Sequence, residues 1–138
     1  MKTTLYTALT AILLLLSAAT VNAQNDATYN YVVLTKKVPQ LQPILITAEK
    51  LQEEDEAQYG EFHVVICGQG IGEITDPEKI NKFIARANQL GVKLIACGFS
   101  LNKFKVDRAA VPKEMEIVEN GILYNFQLQK KGFISLGL

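Results

Sequence analysis

Cysteine and histidine are scarce in this chain: of its 138 residues, two are Cys and one is His. Two cysteines are too few for the disulfide framework of small secreted proteins, and a chain of this length can bury a sufficient core without staples. Cys67, Cys97 and the distant His63 also fall short of a tetrahedral zinc set, so no metal site is expected. An excess of charge of either sign is missing too. The 14 basic and 14 acidic residues balance, and the one charge run is Glu53-Glu54-Asp55-Glu56. Without a basic run there is no electrostatic footprint for nucleic acid. The acidic run reads as the solvated end of a helix, because consecutive acids on a helix point in different directions. There is no internal repeat and no linker.

What is present begins with Lys2 and an apolar stretch, Ala8 to Ala19, followed by the small residues of Val21-Asn22-Ala23. This is the pattern of a cleaved signal peptide over residues 1–23. The apolar run is too short to favour a transmembrane anchor, and no cysteine lies near Ala23 for lipidation. The expected product is one domain, residues 24–138, of net charge −1 once Lys2 is gone. Its expected location is periplasmic or secreted, with no stable membrane span after cleavage.

Tyr29 to Leu34 is β-rich and reads as the first strand. Leu41, Ile44, Leu45, Ala48 and Leu51 then recur at helical spacing, with Pro43 in the first turn, where its missing N–H costs nothing. Phe62 to Cys67 is a continuous apolar run, as expected of a strand covered on both faces, and Gly68 to Gly72 reads as a flexible loop. Thr75-Asp76-Pro77-Glu78 starts a helix through a capping Thr75, a Pro in the first turn and a Glu three residues on. That helix carries Ile80, Phe83, Ile84 and Ala87 and ends at Gly91. Val92 to Cys97 is a third strand, and a short helical segment with Leu101, Phe104 and Val106 follows. Met115 to Val118 is a fourth strand. Asn120-Gly121 opens a last helix predicted to bury Ile122, Leu123 and Phe126, and Phe133 to Leu136 closes the chain as a strand. Strands alternating with helices at this spacing imply right-handed crossovers and a parallel sheet, an α/β fold.

Cys97 stands at the end of its strand, followed by Gly98 and by Ser100, which opens a helical turn. Open α/β folds place their ligands at that edge of the sheet. Amides of such a turn, with Lys103 and Lys105 near in sequence, favour a thiolate. Cys67 occupies the equivalent end of the preceding strand. If the two strands are neighbours, the sulfurs come within disulfide range, which needs Cα atoms about 4.4–6.8 Å apart; otherwise Cys67 simply packs in the core. His63 lies four residues before Cys67, roughly 13 Å along a strand, too far to act as a base for it. Gly68-Gln69-Gly70-Ile71-Gly72 follows a strand as a dinucleotide loop does, but Glu73 stands where the third glycine belongs and the P-loop lysine is absent. Its glycines Gly68 and Gly70 are read instead as letting backbone pass close to a neighbouring site. No cofactor is expected.

Phe62-His63-Val64-Val65-Ile66-Cys67-Gly68-Gln69-Gly70, the run Gly91 to Leu101 (GVKLIACGFSL), and the ending with Gly121-Ile122-Leu123 and Leu128 to Phe133 resemble the DsrE/DsrF-like sulfur-relay proteins. The resemblance covers nearly all of residues 29–138 and is most specific at Ala96-Cys97-Gly98-Phe99-Ser100-Leu101. It implies a three-layer α/β/α sandwich with a five-stranded, mainly parallel sheet, assembled as a dimer, trimer or hexamer. It also implies that Cys97 accepts sulfur as a persulfide from a donor protein and hands it to an acceptor, with Gly98 and Ser100 shaping its pocket. The relay proteins of that family are cytoplasmic, whereas this chain begins with an export signal, and an oxidising compartment favours a disulfide or sulfenic acid at the thiols. Two function classes therefore stand side by side: thiol-based sulfur carriage or redox chemistry at Cys97, and a non-catalytic oligomeric binding or structural module of the cell envelope with buried or disulfide-bonded cysteines. A nucleotide or flavin binder at Gly68–Gly72 is a weaker third.

Overall fold

The structure, a computed structural model, describes residues 27–138. The signal-peptide reading of residues 1–23 lies outside them. Five strands form one sheet: β1 (Tyr29–Thr35), β2 (Tyr59–Ile66), β3 (Lys93–Cys97), β4 (Glu116–Val118) and β5 (Ile134–Gly137), in the order β4-β3-β2-β1-β5. Every pairing is parallel. The expectation of an α/β sandwich is met, with a sheet that is parallel throughout.

The layers follow from the strand order. Helix α1 (Leu41–Asp55) joins β1 to β2 and α2 (Pro77–Leu90) joins β2 to β3, each moving one strand toward the same edge. Right-handed crossovers put both helices on one face, where they touch each other. The short α3 (Gly98–Lys103) follows β3, and α4 (Gly121–Lys130) carries the chain from β4 back to β5 at the far edge. Reversing direction places α4 on the opposite face, across β1, β2 and β3.

The central strand is buried as its unbroken apolar sequence requires: Phe62, Val64, Val65 and Ile66 are almost fully covered. The stripe Leu41, Ile44, Leu45 and Ala48 seats α1, and Ile80, Phe83, Ile84 and Ala87 seat α2. Burying each large side chain of this set contributes roughly 1.5–3 kcal/mol. Gly91 ends α2 in the left-handed conformation (φ 66°), which needs no Cβ. No helix among the described residues is long and apolar enough to cross a membrane.

Three local expectations need correction. The cap of α2 is Asp76, whose carboxylate accepts from the Glu78 amide at 3.1 Å, while the Thr75 hydroxyl donates to the Gly72 carbonyl. Asp76 directly precedes Pro77 and is therefore held in the extended conformation that an N-cap needs. The segment after β2 is not a loose loop but a 3-10 turn over Gln69–Thr75 that buries Ile71 and Ile74. Finally, Ile122, Leu123 and Phe126 of α4 are 54–57% exposed. The residues turned to the sheet are Gly121, Tyr124 and Leu128, an i, i+3, i+7 stripe on the other side of the helix.

Candidate functional site

The carboxyl ends of the strands converge on one place. β2 and β3 pair in register up to Ile66 with Ala96, so Cys67 and Cys97 are the next residues side by side. The Cys67 amide continues the ladder by donating to the Thr35 carbonyl at 2.9 Å. Both thiols are free and buried, Cys67 at 7% exposure and Cys97 at 3%. The two thiols lie close enough for each to shift the ionisation of the other.

Helix α4 begins directly over this pair. Asn120 caps it by accepting from the Ile122 and Leu123 amides at 3.0 and 3.1 Å, which leaves the Gly121 amide free to donate to Cys97 Sγ at 3.3 Å. A Cβ on Gly121 would lie 2.6 Å from Cys67 Sγ, 2.8 Å from Val65 Cγ1 and 3.1 Å from Cys97 Cβ. Only glycine lets the backbone come this close. Ser100 closes the other side: its hydroxyl accepts from the Gly68 amide at 2.9 Å and lies against Cys97.

These surroundings polarise the two thiols in opposite directions. Burial opposes ionisation of Cys97 but is outweighed by the Ser100 hydroxyl, the Gly121 amide, the Ser100 amide and the Cys67 thiol, so Cys97 is held below the ordinary thiol value. The Ser100 groups act on it through proximity, without Cys97 serving as a side-chain cap of α3. Burial pushes Cys67 up to about 12, helped by the negative charge of Cys97 and opposed by Lys36. The arrangement favours ionisation of Cys97 and keeps Cys67 protonated beside it. A thiolate is the form of cysteine that attacks sulfur and carbon electrophiles.

A cavity of about 370 Å³ opens onto both sulfurs, with Gly68 and Ser100 beside them. Phe99, Phe104 and Ile122 give it an apolar wall, and Lys36 and Lys103 place cationic groups along it. Its size lies within the range of small-molecule sites.

The structure thus brings together Cys97, Cys67, Gly68, Ser100 and Lys103. Gly70 and Gly98 lie behind the site and not on its wall. A Cβ on Gly70 would press to 2.5 Å on the Lys36 carbonyl, and one on Gly98 would meet the Arg108 guanidinium at 2.9 Å and the Val118 carbonyl at 3.1 Å. Lys105 is not among the lining residues. His63 stays in the middle of β2, four residues before Cys67, with Nδ1 2.9 Å from the Tyr124 hydroxyl and Nε2 2.9 Å from Glu61. Lys93 first, and His63 second, hold the Glu61 carboxyl down to about 2. This is a polar network remote from the thiols. Among the described residues, no three His, Cys, Asp or Glu side chains gather as metal ligands.

Sequence reading missed Lys36, Asn120 and Gly121. The signal for them was the carboxyl-end rule itself: Lys36 directly follows β1, and Asn120 and Gly121 come two and three residues after β4, as Cys67 follows β2 and Cys97 ends β3.

No protein-family model matches the chain, and none of the curated proteins matches it. Among solved structures it is similar to a protein of unknown function from Methanobacterium thermoautotrophicum, with TM-score 0.69 and 15% identity over 80% of this chain and 99% of that one. It is also similar to a conserved protein of unknown function from Bacteroides thetaiotaomicron, with TM-score 0.62 and 14% identity over 86% and 99% of the two chains. Identities this low show the shared α/β fold and nothing further.

Proposed function

We propose that the chain is an exported thiol protein of the DsrE/DsrF-like kind, in which Cys97 accepts sulfane sulfur. The observation that carries this reading is the Cys97 sulfur itself. It is held toward the thiolate by the Gly121 amide and Ser100, and it faces a cavity large enough for a small sulfur donor. With a persulfide donor R–S–SH, the Cys97 thiolate attacks the outer sulfur. The donor S–S bond breaks, a new S–S bond forms on Cys97, and the proton goes to the departing thiolate, giving Cys97–S–S⁻ and R–SH. The Gly121 amide and Ser100 hydroxyl favour the anion at the start, and Lys36 and Lys103 favour an anionic donor in the cavity.

The test is intact-mass measurement on the reduced protein after exposure to glutathione persulfide or thiosulfate. The expected result is uptake of one sulfur at Cys97, a gain seen at early times that cyanide removes and that is absent in Cys97→Ser. A Cys97 that stays unmodified in the folded, reduced protein ends this reading and leaves the non-catalytic envelope module with buried thiols.

The outward face of α4 and the β5 edge support the further proposal of a homo-oligomer. Ile122, Leu123, Phe126, Ile134 and Leu136 are each more than half exposed, an apolar surface of the sort that subunit contacts cover. Light scattering reads the assembly mass; a monomer at all working concentrations would discard it.

A further inference from the structure

Cys67 is a second thiol that sulfur acceptance at Cys97 leaves without a role. We propose that Cys67 is a resolving thiol: once Cys97 carries a sulfane sulfur, Cys67 attacks the Cys97 sulfur, closes a Cys67–Cys97 disulfide and releases hydrosulfide. The inference rests on the acceptor reading of Cys97 and adds a sulfide-releasing activity to it.

The geometry carries it. The thiols follow paired residues of adjacent parallel strands, and such strands lie about 4.8 Å apart. That spacing falls within the Cα separation a disulfide requires, roughly 4.4–6.8 Å. The same glycine covers both sulfurs, and the same cavity reaches both. A purely structural cysteine at position 67 needs neither the contact with a second sulfur nor access to that cavity.

The step balances without an added oxidant. Cys97–S–S⁻ and Cys67–SH become Cys97–S–S–Cys67 and HS⁻. The persulfide S–S bond breaks, the bond between the two Cys sulfurs forms, and the Cys67 proton leaves with the expelled sulfur. The sulfane sulfur is reduced while the thiol pair is oxidised. An external dithiol reductant then reopens the bridge by exchange and is itself oxidised.

The resting polarity sets the order of events. Burial first, and the neighbouring Cys97 charge second, keep Cys67 protonated. When Cys97 becomes a persulfide, its charge moves to the outer sulfur, away from Cys67, and that outer sulfur is the base that receives the proton. Cys97 is therefore the acceptor, and Cys67 acts only after loading. The low-molecular-weight persulfides that fit the cavity are the substrate class, and anionic ones are favoured by Lys36 and Lys103.

The experiment uses the reduced full-length mature protein, freed of reductant and treated with glutathione persulfide against a protein-free blank. Released sulfide, intact mass after acid alkylation, and a disulfide-mapped digest are followed together. Wild type is expected to release sulfide stoichiometrically and to yield a Cys67–Cys97 linked peptide. Cys67→Ser, which retains a hydroxyl donor toward Cys97, is expected to keep the added sulfur and release sulfide at the blank level. Cys97→Ser is expected to do neither. A wild type that holds a stable persulfide while Cys67 stays alkylatable overturns the resolving role and leaves the acceptor reading intact. If no form takes up sulfur, both fall. Cys67→Ala and circular dichroism guard against a folding defect in the serine variant, and the linked peptide in wild type needs no variant at all.

Discussion

Replacing Gly121 by alanine adds one methyl group at the point where α4 rests on the two thiols. The new Cβ would stand 2.6 Å from Cys67 Sγ and 2.8 Å from Val65 Cγ1. Both atoms belong to short side chains of the buried sheet, so neither can swing aside as a long surface side chain would. Overpacking of this kind costs about 1–3 kcal/mol, and replacing glycine returns roughly 0.4–1 kcal/mol through the unfolded chain. The net expectation is a loss of about 1–2 kcal/mol, which for a domain of this size lowers Tm by roughly 4–8 °C. The same displacement lifts the Gly121 amide from Cys97, so the thiol becomes less acidic and its alkylation profile moves to higher pH. The pH dependence of stability has a definite sign. Cys97 is depressed in the folded state, so its contribution is present above the unfolded thiol pKa and is lost as pH falls through the folded value. The stability gap between wild type and Gly121→Ala should therefore be wider at alkaline than at mildly acid pH. Thermal melts across pH and iodoacetamide kinetics measure both effects. An alanine variant that melts at or above wild type, with an unchanged alkylation profile, would refute the proposed contact of α4 with the thiol pair.

Ser100→Ala removes the hydroxyl beside Cys97 and leaves the Gly68 amide without its acceptor. The alkylation midpoint of Cys97 should rise and stability should fall by about 1–3 kcal/mol, the cost of an orphaned buried donor; an unchanged midpoint would show that Ser100 does not tune the thiol. Phe126→Glu puts a charge in the exposed apolar face of α4. It should lower the mass read by light scattering and leave the monomer fold intact in circular dichroism, whereas an unaltered mass would exclude this face from any subunit contact.

Much of the architecture was legible because periodicity and punctuation agree with the final packing. The stripe from Leu41 to Ala48 and the set Ile80, Phe83, Ile84 and Ala87 are the buried faces of α1 and α2. Phe62 to Ile66 is continuous because both faces of the central strand are covered. Where two patterns competed, sequence alone chose the wrong one. In α4, Ile122, Leu123 and Phe126 form the more apolar stripe, yet the helix turns Gly121, Tyr124 and Leu128 inward, because the sulfurs admit only a glycine above them. At Thr75-Asp76-Pro77 both side chains can cap, and the conformation imposed before proline selects Asp76.

The candidate site divides in the same way. Sequence by itself determined that Cys97 ends a strand before a helical turn and that Cys67 ends the strand before it, since both facts depend on local pattern. It also kept His63 away from the thiols, because distance along a strand is set by residue count. Tertiary structure decided that the two strands are neighbours, that Gly121 and Asn120 arrive from the end of β4, and that Lys36 arrives from the end of β1. Those contacts span long stretches of chain and depend on strand order, which no local spacing encodes. The opposite polarisation of two otherwise similar thiols belongs to the fold as well: it comes from which sulfur receives the Gly121 amide and which is left buried without it.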